Sequence, residues 1–277
     1  MGNDNDHIQR EAAIQGRRWH SMHGGYFADA AVVAPLVAAI SRAAAQHPPA
    51  VLADLGGGTG FLLERLAAQG SLDGTAMVNV DLSPRQLEQS RDRRIVQLNR
   101  SAAGVTREEL YGVRDSEVTE VTHPGGLMLV MRSLLHYFGR DGLEPFLAHL
   151  RSQMRSGEVL VQQTACFTEA RDAGCLNDLY RLMRTEKWYP TLEELQAALQ
   201  QCGWSMIDIQ PAPPLPLTSA DLARRYQLSA ADVEMIGREL SGKFGRIVGV
   251  FEPAPQGFTA YLHYQIMTCT AAPRAGA

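Results

Sequence analysis

Between residues 51 and 163 short unbroken apolar runs alternate with longer stretches whose apolar residues recur every three or four positions. The runs at 51–55, 77–81, 95–98, 127–131 and 158–163 are too short for helices and predict strands, the first fully buried. Residues 61–69 read as a helix, and Ser83-Pro84 opens another, with Ser as N-cap and Pro at the first helical position. Residues 142–154 set Leu143, Phe146, Leu147, Leu150 and Met154 on one helical stripe. Strand and helix in alternation predict a parallel, doubly wound α/β sheet.

Outside that stretch the pattern changes. Residues 1–20 read as a polar helix, broken by glycines before Tyr26 and Phe27; residues 28–46 form an amphipathic helix through Val32, Leu36 and Ile40. Residues 191–202 form a helix closed by Gly203, and 205–210 a strand. The proline-rich 211–216 reads as a stiff linker. Residues 219–243 read as helical, with Ser219 and Ser229 as N-caps, and 258–269 as a final strand. The expected organisation is an N-terminal helical lid (1–46), a core (47–210), a helical cap inserted before the last strand (211–257), and that strand with a disordered tail (258–277). The insertion is too long for a plain connection.

Composition narrows the class. The 277 residues are 45% hydrophobic and 20% charged with net charge -4, enough apolar residue for a full core and too little basic excess for a nucleic-acid partner. No apolar run approaches a membrane span, and the polar N-terminus lacks a signal peptide's apolar stretch, so a cytoplasmic location is expected. The four cysteines, Cys166, Cys175, Cys202 and Cys269, show neither zinc-site nor disulfide spacing. His20 and His23 lack acidic companions, so no metal is expected.

The chemistry concentrates after the first predicted strand, in Asp54-Leu-Gly-Gly-Gly-Thr-Gly60. Doubly wound sheets bind ligands at this carboxyl edge, and glycines let a ligand approach the backbone. The nicotinamide-binding G-x-G-x-x-G spacing fails, because Phe61 and Leu63 stand where a third glycine is needed. The acid in the loop and Asp81 at the next strand end disfavour a pyrophosphate and favour a cationic ligand.

Over residues 45–210 this arrangement resembles the class I, Rossmann-like S-adenosylmethionine-dependent methyltransferases. The resemblance implies a mostly parallel sheet with an antiparallel last strand, and S-adenosylmethionine as cofactor with S-adenosylhomocysteine as product. It implies that Asp54, Gly56, Gly58, Thr59 and Gly60 wrap the cofactor's amino acid part, that Asp81 accepts hydrogen bonds from both ribose hydroxyls, and that Leu82 flanks the adenine. Many members carry an acid after the third strand for the adenine amino group; here Asn99 or Ser101 stands instead. Arg132 falls beside the cofactor.

The segment Met131-Arg-Ser-Leu-Leu-His-Tyr-Phe138 is similar to small-molecule O-methyltransferases, whose aligned histidine takes a proton from a hydroxyl. His136 is the match and Tyr137 stands where those enzymes often carry Asp; a packed histidine is the competing reading. The resemblance places Tyr26 and Phe27 in a lid over the site, though they serve equally to pack the N-terminal helix. Cys166, Trp188 and Tyr189 are candidate substrate-wall residues. Arg181, Arg184 and Lys187, with Arg224 and Arg225, give the region a basic tint suited to a carboxylate or phosphate, or else face solvent. The expected activity is methyl transfer to a small-molecule oxygen, in secondary metabolism by resemblance. N- or C-methylation, and cyclisation or decarboxylation on the same fold, are the alternatives; a nicotinamide oxidoreductase and a non-catalytic binding subunit are remoter ones. A homodimer stays open, with the apolar last strand a candidate free edge.

Overall fold

The computed structural model describes residues 25–70, 72–113 and 125–273. The first predicted helix, His20 and His23, and the tail beyond residue 273 lie outside them.

Three β-α steps build the first half: β1 (Pro49–Leu55) and α2 (Phe61–Ala67), β2 (Ala76–Asp81) and the short α3 (Pro84–Leu87), and β3 (Ile95–Asn99) with α4 (Arg107–Gly112). Helix α1 (Ala30–Gln46) precedes them, capped by Asp29, whose carboxylate accepts the N–H of Ala31 at 2.7 Å. Strand β4 (Gly126–Arg132), a 3-10 turn (Leu135–Phe138), α5 (Gly139–Gln153) and β5 (Val159–Ala165) follow. The chain continues through α6 (Ala170–Leu182), α7 (Leu192–Gln201), β6 (Trp204–Thr218), α8 (Ser219–Tyr226), α9 (Ala230–Phe244), β7 (Phe251–Ala254) and β8 (Gly257–Ala271). Helices α4 and α6 are additions to the order expected from periodicity.

Among the described residues the sheet runs β3-β2-β1-β4-β5-β8-β6, with β7 paired to β8. Strands β1 to β5 pair in parallel; β8 is antiparallel to both β5 and β6. The expected mixed sheet with an antiparallel last strand is therefore present. Chain order reverses at β1 and β4, so a ligand crevice is expected beyond the carboxyl ends of these two strands.

Two apolar layers follow from the period of two along each strand. Val51, Ala53 and Leu55 of β1 face one layer with Phe146, Leu147 and Leu150 of α5 and Leu195 and Leu199 of α7. Leu52 faces the other, with Leu36 and Ile40 of α1 and Leu63 and Leu66 of α2. Helix α1 is thus built into the face of the sheet, preceded by a 3-10 turn at residues 25–28.

The predicted proline linker is a correction. Residues 211–216 belong to β6, which pairs with β8 from Trp204↔Ala271 to Thr218↔Thr259 with irregularities at Met206/Asp208 and Ala212/Leu215. Prolines fit there because β6 is an edge strand, hydrogen-bonded on one side only. The last strand is not an edge: β8 lies between β5 and β6. The extra length of β6 and β8 carries a third core, where Leu215, Leu217, Leu262 and Tyr264 meet Leu179 and Tyr180 of α6, Leu222 of α8 and Ile236 and Leu240 of α9. Between β6 and β7 the chain forms α8 and α9, and the strands on either side of them continue the sheet. Helix α8 is capped by Thr218 rather than Ser219; Ser229 caps α9 in a capping box with Asp232.

Candidate functional site

The turn after β1 is fixed by its glycines. Gly56, Gly58 and Gly60 have φ of 69°, 58° and 80°, a region that other residues enter only with strain. The Gly56 and Gly57 N–H groups donate to Val80 O at 2.8 and 3.2 Å, tying the turn to the end of β2. There Asp81 accepts from Gly58 N at 2.9 Å through one carboxylate oxygen and from Ser83 N at 2.8 Å through the other. Ser83 is the N-cap of α3 but makes no side-chain capping bond, and its own N–H is held by Asp81.

Asp54 lies beneath this turn, 1% exposed, with Oδ1 making no hydrogen bond. Burial pushes its carboxyl up to about 8, helped by the nearby Asp81 charge and opposed by Arg132. Burial also raises Asp81, against the two backbone N–H donors. Asn79 holds the turn from below, donating to Gly58 O at 3.0 Å and to Gln97 at 2.8 Å, while its Oδ1 is unpartnered. Gln86 Oε1 is a third buried, unpartnered acceptor beside Gly58. Asp81 in the cavity wall, with buried Asp54 and two unpartnered amide oxygens close to the glycine turn, creates a demand for positive charge and for donors.

A cavity with about 1100 Å³ of empty space, its mouth included, opens over this floor. It follows the carboxyl edge of the sheet at the expected switch point. Of the predicted residues it is lined by Gly56, Gly58, Asp81, Leu82, Ser101, Arg132, His136, Tyr137, Tyr189 and Phe27. Asp54, Thr59, Gly60 and Asn99 are not in the wall. Asp54 acts from below, and Asn99 donates to the carbonyls of Asp81 and Leu82, both at 3.0 Å, which shapes the adjoining loop. Tyr26, Cys166 and Trp188 are also absent from the wall. Tyr26 reaches Pro213 O at 2.5 Å, Cys166 is buried in the core with its thiol pushed up to about 12, and Trp188 packs at that core's margin under Arg140.

Arg132, at the end of β4, ties the cavity wall to the turn that carries Tyr26 and Phe27. It donates to Phe27 O at 3.0 Å and to Tyr26 O at 3.3 Å, and its guanidinium lies 5.2 Å from the Phe27 ring centroid. Its Nε is buried without a partner. Ser133 follows at φ 57°, pinned by its N–H to Gln163 O and by its hydroxyl to Tyr264, both 2.7 Å. This strained bend sends the chain into the 3-10 turn that carries His136.

His136 is 7% exposed, packs against Tyr137 and Tyr189 with centroids 4.2 and 5.3 Å away, and leaves Nδ1 unpartnered. Burial first, then the charges of Lys187 and Arg225, hold its pKa well below the ordinary value, so the ring is neutral at physiological pH. Of the basic residues expected on this wall, Lys187 and Arg225 line the cavity. Arg181 and Arg224 are exposed and pair with Asp178 and Asp221.

Sequence reasoning missed Gln86, and the far wall formed by Leu215, Leu217, Leu262, Tyr264 and Tyr180. These come from strands and a helix distant in sequence and carry no local motif.

No protein-family model matches the chain, and no curated protein sequence does. Solved structures do resemble it in fold. A methyltransferase candidate from Bacillus halodurans is 12% identical with a TM-score of 0.62, covering 85% of this chain and 98% of that one. The YcgJ protein of Bacillus subtilis is 12% identical with a TM-score of 0.60, covering 87% and 100%. The 1,6-didemethyltoxoflavin-N1-methyltransferase of Burkholderia thailandensis, solved with 1,6-didemethyltoxoflavin and S-adenosylhomocysteine, is 16% identical with a TM-score of 0.54, covering 98% and 91%. The chain therefore has the Rossmann-like fold of class I methyltransferases.

Proposed function

We propose that this protein is an S-adenosylmethionine-dependent methyltransferase acting on an oxygen nucleophile of a small molecule. The observation that carries the reading is the floor: Asp81, with both carboxylate oxygens fixed by backbone N–H groups, stands beside three glycines and above a buried second acid. Unpartnered Asp54 Oδ1 and Gln86 Oε1 and the side-chain-free turn fit a cationic nucleoside ligand. Asp81 would take the ribose hydroxyls, Leu82 and Ser101 would border the adenine, and Arg132 Nε would receive the cofactor's carboxylate. The toxoflavin-precursor enzyme, which holds S-adenosylhomocysteine in the same fold, supports the choice of cofactor.

When bound, the cofactor supplies an electrophilic methyl group on a sulfonium. The protein's part is alignment, exclusion of water and removal of one proton. His136, neutral and with Nδ1 unpartnered, would accept the acceptor's hydroxyl proton as the oxygen electron pair forms the new O–CH3 bond, the pair of the broken S–CH3 bond staying on the sulfur of the leaving S-adenosylhomocysteine. Phe27, held by Arg132, would close the mouth against water. A cavity walled by aromatic and aliphatic side chains suits a small-molecule acceptor.

The test is binding and label transfer. Calorimetry should show S-adenosylmethionine and S-adenosylhomocysteine binding and no binding of NADH. Incubation of the protein with methyl-labelled cofactor and a small-molecule extract should place label in a product heavier by one CH2. Tight binding of NADH with none of either adenosyl compound would overturn the reading.

A further inference from the structure

A histidine base is ordinarily aimed by a hydrogen bond to its second ring nitrogen. His136 Nδ1 makes no such bond. The placement of the ring has other sources: the Tyr137 and Tyr189 rings packed against it, the Trp188 N–H donating to His136 O at 3.3 Å, and the backbone that leads into the 3-10 turn.

That backbone is bent at Ser133, three residues before His136. Three non-glycine residues among those described have positive φ, Ser133, Arg184 and Gln227, and of these Ser133 alone lines the cavity. A residue stays in this region only where its surroundings over-determine it. Two bonds do so here, and together they restrain φ. The Ser133 N–H to Gln163 O, at 2.7 Å, fixes the peptide plane entering the residue. The bond between the Ser133 and Tyr264 hydroxyls, also 2.7 Å, fixes the side on which Cβ lies about the N–Cα bond.

The first bond comes from the neighbouring strand β5. The second comes from farther off: Tyr264 stands on β8, opposite Ala165 of β5, and reaches past β5 to the end of β4. Tyr264 is itself held. It is 1% exposed and stacks on Tyr26 with centroids 5.8 Å apart. Burial pushes its phenol up, so the hydroxyl keeps its proton at physiological pH.

We propose that Tyr264 is the positioning residue of His136: its hydroxyl holds Ser133 in the left-handed bend, and the bend sets where the 3-10 turn presents the imidazole. The imidazole's role as base rests on the methyl-transfer reading; the placement of the ring does not. Without the Tyr264 hydroxyl, Ser133 relaxes towards negative φ and the turn swings. The imidazole then loses its packing against Tyr137 and Tyr189 and gains water from the cavity.

NMR of the untagged full chain, labelled with 13C in histidine, tests this. The chain has eight histidines, and His136→Gln identifies the Cε1–Hε1 signal of His136. In the parent protein its titration midpoint lies well below the ordinary value, held there by burial first and then by the Lys187 and Arg225 charges. Tyr264→Phe should move the signal and raise the midpoint by about one pH unit as the ring is hydrated. Ser133→Ala should do the same, and the double variant no more than either, since both delete one bond. Methyl transfer by Tyr264→Phe should fall about tenfold in kcat with little change in the KM for S-adenosylmethionine. A tyrosine that only stabilises the fold would lower Tm and leave midpoint and kcat in place. Should Tyr264→Phe fail to fold, Ser133→Gly, which takes positive φ without strain, removes the same bond. An unmoved signal and midpoint in the folded variants overturns the proposal and leaves the methyl-transfer reading intact. A displaced ring in a protein that transfers no methyl group upholds the placement and sinks that reading.

Discussion

Asp81 has no spare hydrogen-bonding freedom in the turn: Gly58 N and Ser83 N each claim one oxygen, which aims the remaining lone pairs at the cavity. Asp81→Ala should therefore release the turn and delete the acceptor together, raising the S-adenosylmethionine Kd about a hundredfold or more, on the scale of two charge-assisted hydrogen bonds; unchanged affinity by calorimetry would refute the ribose assignment. Gly57 tests the floor from another side. A Cβ there would sit 2.2 Å from Asn79 Oδ1 and 2.6 Å from Asp54 Oδ2, both buried. Gly57→Ala should cost about 1–3 kcal/mol, seen as a lowered Tm, and should weaken cofactor binding as well. His136→Gln should leave cofactor affinity intact while lowering turnover about a hundredfold, typical of a lost general base; equal turnover at every pH would make it a packing residue. The acids and glycines were legible in sequence because strand, turn and acid are consecutive there. His136 was legible only by resemblance. Gln86 and Tyr264 were not legible, since each matters through a neighbour 28 or more residues away, Gly58 or Ser133.

At the scale of elements, the sequence showed where local chemistry decides and misled where tertiary position decides. Helix α7 is a case of the first kind. Thr191 accepts from Glu194 N at 3.1 Å, Glu194 reciprocates to Thr191 N at 2.8 Å, and Gly203 closes the end at φ 82°. Thr191→Ala should cost about 1 kcal/mol in chemical denaturation without changing activity, since α7 contributes nothing to the cavity wall. Strand β6 is the opposite case. Four prolines between 211 and 216 argue against a strand unless one side of it needs no partners, and only the assembled sheet reveals that β6 is such an edge. The consequence is functional. Because β6 continues past Gln210, Leu215 and Leu217 reach the cavity wall, and Pro213 O accepts from the Tyr26 hydroxyl. The segment expected as an inserted helical cap is thereby joined to the same hydrogen-bonded sheet as the glycine turn.

For the whole molecule, the buried acid couples folding, pH and ligand charge. Folding lifts the Asp54 carboxyl from 3.8 to about 8, so across that interval the folded chain holds a proton that the unfolded chain has released. The stability this group contributes is full below its unfolded value and is lost as pH rises through about 8, because ionised Asp54 is buried near ionised Asp81 with Arg132 the opposing cation. The ligand-free protein should accordingly lose Tm between pH 6 and pH 8, and Asp54→Asn, which keeps the shape and cannot ionise, should flatten that slope. A cation bound above the floor favours the ionised form and expels the proton. S-adenosylmethionine affinity should then increase as pH rises towards 8, by up to about tenfold per unit if the coupling is complete. Calorimetry in buffers of different ionisation enthalpy should count up to one proton released per ligand. S-adenosylhomocysteine keeps the ammonium and lacks the sulfonium, so its release should be smaller, and Asp54→Asn should abolish release for both. Proton release that persists in Asp54→Asn would move the titration to another group and leave Asp54 a structural prop for the glycine turn.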